Sequence, residues 1–103
     1  MTEKDIFKSL KHAIEKACAT KTYHLTEEEA LSLGFIKSDE SSSWTLAYKF
    51  DRIMPDGTLI TLGFRSFDPS GPFQNLPDVN RFVLRHLSSQ GGIIEEFTAE
   101  YTD

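Results

Sequence analysis

The sequence predicts an α+β domain with helices packed on one face of a small, mainly antiparallel sheet. Three observations point to it. In the opening stretch apolar residues recur every three or four positions. Two segments of period-two alternation flank Pro55-Asp56-Gly57. A further alternating segment follows Gly91-Gly92. The expected element order is α-α-β-β-α-β, with three strands in a single domain spanning 1–103.

The first helix is expected from about 3 to 20. Thr2 caps it, and Asp5, three residues on, completes a weak capping box. Phe7, Leu10, Ile14, Ala17 and Cys18 share one face, with Lys4, Lys8 and Lys11 on the other side. A second, short helix is expected over about 27–33. Thr26 and Glu29 supply its capping box, three glutamates sit at the positive end of its dipole, and Gly34 stops it.

Lys37–Ser43 reads as a polar surface loop. Trp44, Leu46, Tyr48 and Phe50 then alternate with Thr45, Ala47, Lys49 and Asp51, the pattern of a half-buried strand. Pro55-Asp56-Gly57 turns the chain into a return strand, Thr58–Phe67. There Ile60, Leu62 and Phe64 face one way and Leu59, Thr61, Gly63 and Arg65 the other. Asp68–Phe73 reads as a loop. A third helix is expected over about 76–89, with Val79, Phe82, Val83, His86 and Leu87 as its stripe and Gly91-Gly92 as its end. The last strand is Ile93–Tyr101, and the third helix lets it return beside the first strand of the hairpin. It then lies on a sheet edge, where Glu95, Glu96 and Glu100 discourage unwanted pairing.

Composition narrows the class. With 103 residues, 39% apolar and eight Phe, the chain has enough material for one core and too much for disorder. A single cysteine, Cys18, forms no internal disulfide, and the charged start shows no leader pattern. A cytoplasmic location is expected, with no membrane association. Net charge is −5. The first 23 residues carry five lysines against three acids, and the remainder is acidic. That balance argues against phosphate-backbone binding and suits a basic partner surface.

No catalytic, metal or cofactor site is expected. His12, His24 and His86 stand at no metal-ligand spacing. Cys18 lies on the apolar helix face near a C-terminus, where the dipole opposes a thiolate. Phosphate-loop and nucleophile-elbow patterns do not occur. Leu25-Thr26-Glu27-Glu28-Glu29-Ala30-Leu31-Ser32-Leu33-Gly34-Phe35 resembles the first helix of an excisionase-type helix-turn-helix. The resemblance implies DNA reading by a second, Ser/Arg-rich helix. The chain departs from that pattern directly afterwards, running through Lys37-Ser38-Asp39-Glu40 into a strand.

The remaining candidates are binding surfaces. Glu95, Glu96, Glu100 and Asp103 form an acidic last strand and tail, with Tyr101 as an aromatic anchor. Phe67 and Phe73 bracket a loop of turn residues. Arg81 and Arg85, four apart on the expected third helix, could grip a carboxylate or phosphate, with Arg65 nearby. The expected function is that of a non-enzymatic protein-binding module, an inhibitor or adaptor of immunity or phage counter-defence type, acting on a larger partner with a basic surface. The alternative is a nucleic-acid-associated regulator using the Lys/Arg helix faces. Homodimers through the edge strand are compatible with the first reading.

Overall fold

The computed structural model describes residues 2–39, 45–67 and 79–102. Two helices, α1 (Glu3–Thr20) and α2 (His24–Ser32), precede five strands: β1 (Ile36–Asp39), β2 (Thr45–Ile53), β3 (Leu59–Phe67), β4 (Val79–Leu87) and β5 (Ile93–Thr102). The strands form one antiparallel sheet in the order β1-β2-β3-β4-β5. The α+β class matches the expectation. The three-stranded sheet, and the return of the last strand beside the first of the hairpin, do not.

The largest correction is β4. The segment expected to be a third helix is a strand whose Asn80, Phe82, Leu84 and His86 are buried in alternation. Its stripe at spacings of three and four overlaps that period-two pattern. Pairing on both sides, with β3 and with β5, settles the competition. Gly91 and Gly92 accordingly close a hairpin. The Gly91 N–H donates to the Ser88 carbonyl at 2.9 Å, the Ser88 N–H donates to that of Gly92 at 2.7 Å, and Gly91 takes φ of 87°. With no crossover helix, β5 runs next to β4. It still lies on an edge. The second correction is β1, four residues at the start of the expected loop. A strand thus follows α2 where the excisionase pattern requires a recognition helix.

The helices largely follow the expectation. Asp5 donates its N–H to the Thr2 hydroxyl at 3.2 Å and accepts from the Thr2 N–H at 3.1 Å, completing the capping box of α1. The capping role expected of Thr26 is absent. The second helix starts earlier, at His24, and the Thr26 hydroxyl turns inward. It donates to the Tyr23 carbonyl at 2.8 Å and lies 2.8 Å from the Tyr48 hydroxyl. Gly34, at φ of 80°, ends the helix in a Schellman arrangement: Phe35 N–H bonds the Ala30 carbonyl and Gly34 N–H that of Leu31. From β2, Arg52 caps the Leu33 carbonyl at 2.7 Å.

Both helices pack on one face of the sheet. Ile6, Phe7, Leu10, Ile14 and Ala17 of α1 meet Phe50, Leu62, Phe64, Phe82 and Leu84 in one cluster. An aromatic row crosses the sheet beneath them. Tyr48 stacks on Phe64 at 4.8 Å between ring centroids, Phe64 meets Phe82 at 5.0 Å, and Tyr23 covers Phe64 at 4.9 Å. No described helix is long and apolar enough to cross a membrane.

Candidate functional site

The opposite face of the sheet carries neither helix. Cross-strand partners share a face, so the register lays its side chains out in rows. At one end Ile53, Leu59, Leu87 and Ile93 stand side by side across four strands, and Ile36 of β1 lies one row on, opposite Asp51. Ile36 and Ile53 are each 76% exposed and Ile93 59%. The next row is Asp51, Thr61, Arg85 and Glu96. It is followed by Lys49, Gly63, Val83 and Thr98, then by Ala47, Arg65, Arg81 and Glu100.

Here the sequence-derived candidates come together. Arg65 lies directly opposite Arg81, and both stand on strands. Arg81 and Arg85 are four apart on β4 and therefore on one face, as they would be on a helix. The nucleic-acid alternative loses the helix face it assigned to them. The Arg81 Nε contacts Glu100 Oε2 at 3.1 Å, and the Arg85 Nε contacts Glu96 Oε2 at 2.6 Å. Arg65 has no ion pair among the described residues. A shallow depression of about 310 Å³ opens among Lys49, Arg65, Arg81 and Arg85, floored by Ala47 and Gly63. Every described aromatic ring of β2 to β5 faces the helices.

The acidic strand divides between the two faces. Glu96 and Glu100 lie on the open face, while Glu95, opposite His86, lies on the helix side with Phe97, Ala99 and Tyr101. A register shift between His86 and Leu87 moves Ile93 opposite Leu87 on the open face. Tyr101, expected as an exposed anchor, is only 8% exposed and belongs to the core, beyond Phe82 at 6.3 Å. Phe67 closes β3. Phe73 and Asp103 lie outside the described residues.

One lysine of α1 and one glutamate of α2 make side-chain contacts. Lys11 of α1 sits 5.1 Å from the Phe97 ring centroid. Glu27 of α2 pairs with Lys37 at 2.5 Å and lies 3.9 Å from His24 Nδ1. Among the described residues no three His, Cys, Asp or Glu are grouped so as to hold a metal ion. Cys18 is half-buried against the core, and burial pushes its thiol up.

One polar constellation escaped the sequence reading. His86 is buried, and its Nε2 lies 2.8 Å from Thr58 Oγ, which donates to Asp56 Oδ1 at 2.5 Å. The Thr58 proton goes to the carboxylate, so Nε2 is the donor toward the hydroxyl. A nucleophilic hydroxyl needs the reverse order, with the imidazole accepting its proton. The arrangement clasps the turn instead: the Thr58 N–H also donates to Asp56 Oδ1, at 2.9 Å. These bonds, the side-chain one first, hold the Asp56 carboxyl below its usual range. The turn signal was visible in Pro55-Asp56-Gly57. Its tie to His86 needed the β3–β4 register.

Compared with known protein families, with curated proteins and with solved structures, the chain finds no match. The functional reading therefore rests on this geometry.

Proposed function

We propose that this chain is a small, acidic, non-enzymatic protein-binding module, an inhibitor or adaptor of immunity or counter-defence type. It docks the β5 side of its sheet on a larger, basic partner. The supporting observation is β5 itself. It spans ten residues on the sheet edge, with no described element on its outer side and with Glu95, Glu96 and Glu100 exposed. Net charge of −5 adds long-range attraction to a basic surface. A cytoplasmic setting agrees with the single half-buried thiol.

The test is a binding series on the partner recovered from native cytosol. Replacing Glu95, Glu96 and Glu100 together by Gln is expected to weaken binding roughly tenfold and to flatten its salt dependence, with circular dichroism confirming the fold. Unchanged affinity in the triple variant overturns the reading.

A further inference from the structure

The free edge of β5 has a specific form. Beyond the register shift, Glu95–Thr102 runs as a regular strand, and its inner side is fully paired with β4. In an antiparallel sheet alternate backbone N–H and C=O groups of an edge strand point outward, and no described strand pairs with that side of Glu95–Glu100. On the open face it presents Glu96, Thr98 and Glu100 in succession.

Strand β4 shows what that pattern accepts. It sets Arg85, Val83 and Arg81 against Glu96, Thr98 and Glu100, one opposite each. Each arginine reaches a single oxygen, Oε2, through its Nε. Oε1 of both glutamates has no partner among the described residues, and the side chains are 38% and 57% exposed. We infer that β5 takes an extended basic segment of the partner as a sixth strand, with two Lys or Arg residues four positions apart seated against Glu96 and Glu100. The spacing is the same for parallel and antiparallel addition, because side chains alternate with period two in both. Open-face charges would then alternate basic, acidic, basic from β4 outward.

A second copy of this chain fits less well. Antiparallel self-pairing of β5 centred on Thr98 sets Glu96 opposite Glu100 twice, and like charges directly opposite oppose pairing. Nucleic acid meets the same acids. The other sheet edge, β1, has four residues and is a poorer template.

The inference rests on the proposed basic partner but is tested without it. The probe is a short capped peptide of Thr and Val with two arginines four positions apart. The control has the same composition with the arginines three apart, which places them on opposite faces. Titrated into the isotope-labelled full chain, the first is expected to shift amide resonances along Glu95–Thr102 and to bind about tenfold tighter than the control. N-methylation of one alternate set of peptide nitrogens is expected to abolish binding and that of the other set to be tolerated. Changing Glu96 and Glu100 to Gln is expected to erase the preference for the four-residue spacing.

Equal affinity for the two peptides, equal sensitivity to both methylation sets, or shifts centred on the Arg65 depression would overturn the inference. So would concentration-dependent dimerisation that the peptide competes away, which would make a second copy the occupant. Should the natural partner depend on the three glutamates while the peptides fail, strand addition falls and the docking reading stands. Should the partner ignore the glutamates, the docking reading falls regardless of the peptides.

Discussion

Tyr48 shows how a single residue ties the two layers together. Its ring stacks in the aromatic row, while its hydroxyl reaches Thr26 on α2. Thr26 already donates to the Tyr23 carbonyl, so Tyr48 is the donor in this contact. Burial pushes the phenol well above its usual value of 10. A raised folded-state value means that the stabilisation is fully present below pH 10 and is lost as pH climbs toward the folded value. Tyr48→Phe is therefore expected to cost about 1 kcal/mol at pH 7, because Thr26 loses a donor while keeping its own bond. Above pH 10 the variant is expected to lose less stability per pH unit than the parent, and thermal melts from pH 7 to 11 check both statements. Asp56 behaves in the opposite sense. Its carboxyl is depressed, so its contribution is present above the ordinary value of 3.8 and is lost as pH falls through the folded value. Asp56→Asn is expected to show a shallower drop in melting temperature below pH 4 than the parent.

Among the elements, β4 is paired on both sides and is the one the sequence disguised. Leu84 is fully buried in a strand paired on both sides. Leu84→Ala is expected to cost about 2–5 kcal/mol in urea denaturation, and Arg81→Ala, in an exposed pair, less than about 1 kcal/mol. The disguise has a physical origin. Asn80 is buried yet polar, which breaks the visible alternation, and Arg81 and Arg85 share a face at a spacing common to helices and strands. Two local signals were legible: α1 with its Thr2–Asp5 cap, and the hairpin around Pro55-Asp56-Gly57. Strand β1 was not, because a four-residue polar segment becomes a strand only where β2 supplies the pairing. Of the candidate surface, the acids of β5 and its strand character could be read from charge and alternation, whereas its edge position followed from a return beside the first hairpin strand that the structure replaces with pairing to β4. The division of the glutamates between faces, and the burial of Tyr101, depended on the register with β4.

The molecule as a whole is two-sided. One sheet face is sealed by helices and aromatic rings, and the other displays isoleucines at solvent-exposed positions beside ordered charges. Ile53→Lys is expected to change stability by no more than about 0.5 kcal/mol, whereas Ile60→Lys, one strand over but on the sealed face, is expected to abolish cooperative unfolding. Calorimetry on the pair measures this asymmetry directly. The sealed side also imposes an order in time. Strands β4 and β5 pack against α1, which leaves the ribosome before them. Until those strands emerge, Ile6, Phe7, Leu10 and Ile14 have only part of their eventual cover. Nascent chains halted before β4 should therefore be captured by chaperones or degraded, and native structure should appear only after the last hairpin is released.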